Sequence, residues 1–123
     1  MNIPLVDLKA QYRPLKEDIL DRIAKALDGM WLFLGENVQE FEKEFASMSE
    51  VKHAIGVSEG TTALQLALMA CDVGYGDKVI TVSHTFIATA EAIALTGAEP
   101  VFVDIDPSTY TMDVSKIEQQ ITP

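Results

Sequence analysis

The stretch over residues 56–68, GVSEGTTALQLAL, constrains the fold of this chain more than any other. A short apolar run ends at Val57, the turn-forming residues Ser58, Glu59 and Gly60 follow, and helix-favouring residues begin at Thr61. The pattern therefore predicts a strand, a tight turn and the N-terminus of a helix.

This junction suits a phosphate group. The first amide N–H groups of a helix have no partners inside it, and the helix dipole adds positive charge at that end. Gly60 has no Cβ, so the turn can adopt unusual dihedral angles and a ligand can approach the backbone closely. Thr61 and Thr62 add hydroxyl groups that can cap the helix or bond to phosphate oxygens. The same pattern is compatible with an ordinary capped helix that binds nothing.

Two amphipathic helices are predicted in the first part of the chain. Apolar residues recur at helical spacing over residues 15–27, and Gly29 provides a stop. A second apolar face runs over residues 38–48. Residues 1–13 are expected to be extended or irregular, and residues 30–34 to form a compact apolar loop.

Short apolar runs alternate with helical patterns in the second part of the chain. The runs show little internal alternation, which is typical of strands buried on both faces. Strands alternating with helices predict an α/β fold with a parallel sheet and right-handed crossovers. The predicted strands are 54–57, 79–82 and 101–103; the predicted helices are 62–71, 86–95 and a last one capped by Asp113. The helix over 62–71 is apolar almost all round, so it should be covered on two sides.

The composition is that of a globular protein, with 48% hydrophobic and 23% charged residues. The net charge of −10 and the lack of a basic stripe in the sequence argue against nucleic-acid binding. Cys71 lies in an apolar helical run, which predicts a buried structural thiol and no metal site. No signal-peptide or membrane-span pattern is present in the sequence, so a cytoplasmic location is expected. A cluster of glutamates is interpreted as a solvated helix face: Glu36, Glu40, Glu42, Glu44 and Glu50.

Several blocks, in order along the chain, resemble the nucleotide-sugar aminotransferases of the DegT/StrS type, which use pyridoxal 5′-phosphate (PLP). The blocks are IPLVDLKAQY, WLFLGENVQEFEKEFA, KHAIGVSEGTTALQLAL and GDKVITVSHTFIATAEAIALTGAEPVFVDIDPSTY. The resemblance covers nearly all of this chain but only the N-terminal part of the family pattern. It implies a partial αβα layered large domain of fold-type I PLP-dependent transferases, with a mainly parallel sheet. Residues 1–50 would form an N-terminal arm and helices, and residues 51–123 the first βα units of the PLP-binding large domain, incomplete at Pro123.

The resemblance also implies cofactor-binding residues. The family turn binds the cofactor phosphate through backbone amides, which corresponds here to Gly60, Thr61 and Thr62. An aromatic residue after the next strand stacks on the pyridine ring and fixes its plane; here that residue is Phe86. In the family the residue before this glycine is usually small or carries an amide, whereas here it is Glu59. A carboxylate aimed at the phosphate would weaken binding by like-charge repulsion. It is therefore expected to point away, or the site is compromised.

The implied activity is transfer of an amino group, with glutamate as the expected donor, to a nucleotide-linked keto sugar by a homodimer. In the family, the Schiff-base lysine and the acid that protonates the pyridine nitrogen follow the region present here. No catalytic residue is therefore assigned in this chain, which is expected to be inactive alone. Its lysines are interpreted as surface charges: Lys9, Lys16, Lys25, Lys43, Lys52, Lys78 and Lys116. The alternatives are a PLP-dependent sugar dehydratase, in which His replaces the lysine, and a phosphate-binding module or subunit without chemistry.

Two further features receive no substrate role. His84 lies in the same turn as Phe86, where the family carries His or Asn, and is interpreted as stabilising that turn. Residues 31–35 resemble a loop near the sugar site, but a packing role is an equal alternative.

Overall fold

A computed structural model gives the fold and describes residues 5–122. The chain divides into two compact units, Met1–Gly56 and Val57–Pro123, whereas the domain boundary predicted from the sequence follows residue 50. The first unit is helical and the second carries a parallel sheet. Within residues 5–122, no helix is both long enough and apolar enough to cross a membrane.

Residues 5–56, the described part of the first unit, contain three α-helices. They are α1 (Leu8–Tyr12), α2 (Lys16–Asp28) and α3 (Glu36–Met48), with a 3₁₀ turn at Arg13–Leu15 between the first two. The helices predicted over residues 15–27 and 38–48 are confirmed. The irregular structure expected over residues 1–13 is wrong for α1, which begins where the Asp7 carboxylate accepts a hydrogen bond from the Ala10 N–H at 3.1 Å. Residues 1–4 of that segment lie outside the described residues.

The connection from α2 to α3 is an exposed apolar loop. Gly29 ends α2 as predicted. The residue after it, Met30, has a left-handed backbone conformation with φ +52°. Gly35 is the N-cap of α3, and a side chain there would clash because its Cβ would lie 2.7 Å from the Trp31 carbonyl oxygen. Phe33 is 87% exposed, so the compact packing expected for this loop is wrong within the described residues.

The acidic face of α3 is not uniformly solvated. Glu40 forms an exposed ion pair with Arg22 of α2 at 3.2 Å. Glu42, in contrast, is half-buried and accepts a hydrogen bond from the Gly56 N–H at 2.7 Å. The strand predicted over residues 54–57 is not formed, because a strand requires hydrogen bonds to a neighbouring strand and the Gly56 amide is bound to this carboxylate.

The second unit contains a β-α-β element preceded by a helix. Its elements are α4 (Gly60–Ala70), β1 (Lys78–Val82), α5 (Ala88–Leu95) and β2 (Glu99–Val103). The two strands pair in parallel, with Ile80 opposite Val101. The predicted α/β class and parallel pairing are therefore confirmed. Gly97, at φ +87°, makes the tight turn from α5 into β2 in a conformation that side-chain-bearing residues rarely adopt.

Small side chains form the core of this unit. α5 packs against both strands and against α4. The buried residues of the unit are Thr81, Ala88, Ala92, Ile93, Ala98 and Val103. Alanines at this interface let the helix approach the sheet closely, which fixes the loops that join β1 to α5.

Much of the apolar surface predicted to be buried is exposed. No residue of α4 is buried, and Leu66 and Met69 are 46% and 52% exposed. Phe102 of β2 is 50% exposed, so this strand is not buried on both faces. Cys71 is exposed, and the prediction of a buried thiol is wrong because it follows the end of α4 rather than lying inside the core.

The last segment consists of turns. Asp113 accepts a hydrogen bond from the Ser115 N–H at 3.1 Å, which confirms the predicted cap. It caps a 3₁₀ turn, Val114–Lys116, and a second such turn follows at Glu118–Gln120. The predicted α-helix is wrong, because each turn is only three residues long and has no sustained i to i+4 pairing.

Candidate functional site

The N-terminus of α4 carries the residues predicted to bind a phosphate. Glu59 precedes the helix in an extended conformation, with φ −169° and ψ 174°, and is its N-cap. Gly60 is the first helical residue, and Thr61 and Thr62 follow in the first turn. Their amide N–H groups have no acceptor earlier in the helix, so they require a partner from outside it.

That partner is the Glu59 side chain. Its Oε2 accepts the Thr61 N–H at 2.9 Å, and its Oε1 accepts the Thr62 N–H at 2.9 Å. The Thr62 hydroxyl donates to the same Oε1 at 2.8 Å, and the Ser58 hydroxyl donates to the Thr62 hydroxyl oxygen at 3.2 Å. We call the three donors on Thr61 and Thr62 the cradle. The expectation that Glu59 points away from it is wrong, because its carboxylate binds all three donors.

The carboxylate is strongly held in its ionised form. The Thr61 backbone N–H, with the Thr62 hydroxyl and the Thr62 N–H, lowers the pKa of Glu59 from 4.5 to about 2. Each of these donors interacts more strongly with a charged carboxylate than with a protonated one. At neutral pH the start of α4 therefore faces a full negative charge.

Gly60 leaves open space beside the cradle. A Cβ built on it would meet nothing within 4 Å, and its φ does not lie in the left-handed region. The prediction of unusual dihedral angles at this turn is therefore wrong. The contribution of Gly60 is the open space that it leaves for a ligand. Two amides and a hydroxyl that bind the oxygens of one carboxylate also fit a phosphate group. The same donors hold Glu59, so a phosphate fits only when that carboxylate has moved aside.

Phe86 lies in the loop between β1 and α5. Its ring is 76% exposed, and its carbonyl oxygen accepts a hydrogen bond from the Thr89 N–H at 3.1 Å. The helix predicted to start at Phe86 begins instead at Ala88, so Phe86 belongs to the turn that leads into it. Since α5 packs against α4, Phe86 and the cradle belong to one compact unit.

His84 in the same loop has an aromatic partner that the sequence did not reveal. Its ring centroid lies 6.1 Å from that of Tyr110, with the two rings tilted by 43°. Tyr110 is in the left-handed region at φ +58°. The contact supports the interpretation of His84 as a residue that stabilises the turn. No spacing rule connects these two positions, so the sequence carried no signal for it.

The other residues considered from the sequence lie at the surface. Trp31 is 60% exposed in the first unit. All the lysines named above are exposed, which confirms their interpretation as surface charges. Among residues 5–122, no three His, Cys, Asp or Glu side chains are grouped as a metal site would require.

The Glu59 cap should make the start of α4 sensitive to acid. Because its pKa is about 2 in the folded chain and 4.5 ordinarily, the unfolded chain takes up the proton first as pH falls. The stabilisation is then complete above about pH 5 and is lost as pH falls towards 2. The protection of the Thr61 and Thr62 amides against hydrogen exchange, measured relative to the intrinsic exchange rate at each pH, should therefore fall over this window.

The matched variants isolate the contribution of this carboxylate. Glu59→Gln should remove the extra acid sensitivity, whereas Glu91→Gln, an exposed glutamate in the first turn of α5, should retain it. A Glu59 carboxyl carbon that titrates near pH 4.5 by NMR would contradict the observed hydrogen bonding.

The chain is similar to enzymes that act on nucleotide-linked sugars. It is 49% identical over 121 residues to the UDP-N-acetyl-3-dehydro-alpha-D-glucosamine 3-aminotransferase of Acidithiobacillus ferrooxidans, covering 98% of this chain and 33% of the relative. The chain thus spans about a third of the length of this relative.

Solved structures give the same result. DesV of S. venezuelae, in complex with a ketimine intermediate, matches with a TM-score of 0.92 and 44% identity over 98% of this chain and 33% of DesV. NtdA of Bacillus subtilis, with bound cofactor PMP, matches with a TM-score of 0.92 and 32% identity over 99% of this chain and 28% of NtdA. These likenesses confirm the predicted fold class, part of the αβα domain of fold-type I PLP-dependent transferases.

The family comparison covers most of the chain. Residues 14–123 match the DegT/DnrJ/EryC1/StrS aminotransferase family, which confirms the resemblance found in the sequence. This chain therefore belongs to the DegT/DnrJ/EryC1/StrS aminotransferase family.

Proposed function

We propose that this chain provides the phosphate-binding and ring-stacking residues of a PLP-dependent aminotransferase that acts on a nucleotide-linked keto sugar. The proposal rests on one observation above all. The α4 N-terminus of a chain from a sugar aminotransferase family presents two amides and a hydroxyl that bind a single anionic group. In this structure that group is a carboxylate, which, like a phosphate, is an anion with acceptor oxygens.

The cradle would hold the cofactor by its phosphate. The Thr61 and Thr62 amides would donate to phosphate oxygens, together with the Thr62 hydroxyl. Gly60 would let the phosphate approach the backbone, because no side chain projects into the open space beside it. Hydrogen bonds from amides to a charged oxygen are among the stronger ones in proteins, so this small cradle can anchor the whole cofactor.

Phe86 would stack on the cofactor ring. Its side chain is largely exposed and sits in a loop fixed by the packing of α5, so a planar ligand can reach its face. PLP, when bound, would act as the electron sink for the transfer of the amino group from donor to sugar. Phe86 would keep the ring plane fixed, and it would exclude water from one face of the ring.

Other parts of the proposal concern the whole protein. Because the relatives are about three times as long as the matched segment, we place the Schiff-base lysine and the pyridine-nitrogen acid outside these 123 residues. The exposed lysines of the chain agree with that placement. Glutamate is the proposed amino donor, the protein is proposed to act as a cytoplasmic homodimer, and the chain alone is proposed to be inactive.

The activity can be tested on the full-length protein supplied with PLP. We expect glutamate and a UDP-linked 3-keto sugar to yield 2-oxoglutarate and the amino sugar in equal amounts, measured by mass spectrometry. A reaction without glutamate is the control. Loss of water from the sugar without consumption of glutamate would contradict amino transfer and indicate a dehydratase.

Gly60→Val should separate cofactor binding from folding. The added side chain meets no atom within 4 Å at its Cβ, so the helix content should not change. It would occupy the room that the phosphate needs, and PLP affinity in the full-length protein should fall by about 10- to 100-fold, the loss of one or two charged hydrogen bonds. Ala63→Val on the same helix is the matched control and should leave the affinity unchanged. Unaltered PLP affinity in folded Gly60→Val would refute the phosphate assignment.

Phe86→Ala should loosen the cofactor without unfolding the protein. Stacking of this kind contributes on the order of 1 kcal/mol, so PLP affinity measured by calorimetry should fall roughly fivefold. The neighbouring Ile87→Ala removes a side chain that is 60% exposed and serves as the control. The stacking role is wrong if Phe86→Ala binds PLP as tightly as the unmodified protein does.

A further inference from the structure

Glu59 binds all three cradle donors of the proposed phosphate site. The two carboxylate oxygens divide the cradle between them, one taking the Thr61 amide and the other the Thr62 amide and hydroxyl. All three distances are 2.8–2.9 Å, which is the range of charge-assisted hydrogen bonds. A phosphate oxygen approaching these donors would meet a negative charge already bound to them.

We propose that the Glu59 carboxylate is an internal competitor of the cofactor phosphate, which has to displace it from the cradle in order to bind. The inference rests on the proposed function, since it assumes that the cradle is the phosphate site. It assigns Glu59 a role in setting the affinity and anion selectivity of that site.

Nothing else in the described chain holds the carboxylate in place. Within residues 5–122, no lysine or arginine lies within ion-pair distance of Glu59. Its hydrogen-bond partners are the cradle donors themselves. An incoming phosphate would replace those bonds one for one, so displacement does not leave the helix amides without partners.

The side chain can leave without disturbing the helix. Glu59 is exposed, and its backbone is in the extended region that any residue adopts. The movement therefore requires rotation about side-chain bonds only, with no backbone rearrangement and no loss of core packing. Its outward position places the carboxylate in water, where a charge is well solvated.

The competition has a measurable consequence. The cradle would accept phosphate only after the Glu59 carboxylate has left it. The apparent affinity for phosphate is then the intrinsic affinity multiplied by the fraction of molecules in which the carboxylate has left. A capping side chain commonly shifts the equilibrium between the capped and the uncapped helix end by about tenfold. Removing the charge should therefore tighten phosphate binding by roughly that factor.

Glu59→Gln tests this inference, because it keeps the size of the side chain and removes its charge. We expect inorganic phosphate and PLP to bind full-length Glu59→Gln about tenfold more tightly than the unmodified protein, measured by calorimetry. The amide resonances of Thr61 and Thr62 should shift at correspondingly lower phosphate concentration. Glu59→Ala, which removes both the charge and the acceptor oxygens from an exposed position, should tighten binding by at least as much, because no side chain then competes for the cradle.

Glu91→Gln is the control for the change in net charge. It removes one carboxylate from the first turn of α5, the neighbouring helix, and should leave both affinities unchanged. A gain of the same size in this variant would overturn the inference, since it would reflect general electrostatics rather than competition.

The outcomes separate this inference from the proposed function. If phosphate shifts the Thr61 and Thr62 amides but both Glu59 variants bind as tightly as, or more weakly than, the unmodified protein, the cradle stands and the competition is wrong. If phosphate shifts those amides in none of the proteins, the cradle itself is not the phosphate site and both proposals fall. Tighter binding in both Glu59 variants together with earlier amide shifts supports both.

Discussion

The unpaired amides at the start of α4 are the constraint on which the candidate site depends. A helix must satisfy these N–H groups from outside its own hydrogen-bond ladder, and an anion does so best because the dipole adds positive charge there. A carboxylate of the same chain and the phosphate of a cofactor can each satisfy these N–H groups. In this structure the Thr61 and Thr62 donors bind the Glu59 carboxylate. The chemistry that makes the turn suitable for a phosphate therefore also makes it bind Glu59.

The position of this helix end depends in turn on the packing of α5. The alanines at 88, 92 and 98 are buried, and they let α5 lie close to the two strands. Because α5 contacts β1, β2 and α4, it connects the sheet to the helix that carries the cradle. The loop with Phe86 runs directly into α5, so the same packing fixes both Phe86 and the start of α4 within one unit.

The exposed apolar surface of both units has a physical explanation in the sequence pattern. α4 is apolar almost all round, yet none of its residues is buried in this structure. Apolar faces of this size are typical of surfaces that pack against further protein. The relatives are about three times the matched length, and a homodimer is proposed, so both remaining polypeptide and a second subunit are consistent with such faces.

By itself, the sequence determined the α/β class, the two paired strands, helices α2 to α5 and the location of the turn that begins α4. These follow from local periodicity and from the number of amides that a helix leaves unpaired, which do not depend on distant residues. It failed where the outcome depended on a partner far along the chain. The segment around Gly56 forms no strand because Glu42 binds its amide, and His84 contacts a tyrosine that no spacing rule would identify.

The direction of Glu59 was decided only by the tertiary structure. From the sequence, like-charge repulsion with a bound phosphate suggested that the carboxylate points away, and that argument holds only when the phosphate is there. In the folded chain the carboxylate points towards the helix end. The Thr61 and Thr62 amides stabilise whichever anion reaches them, and the Glu59 carboxylate is adjacent to them in the chain. Sequence fixes which groups can compete for a helix end, while the three-dimensional arrangement decides which one occupies it, because hydrogen bonds depend on distance and angle rather than on order along the chain.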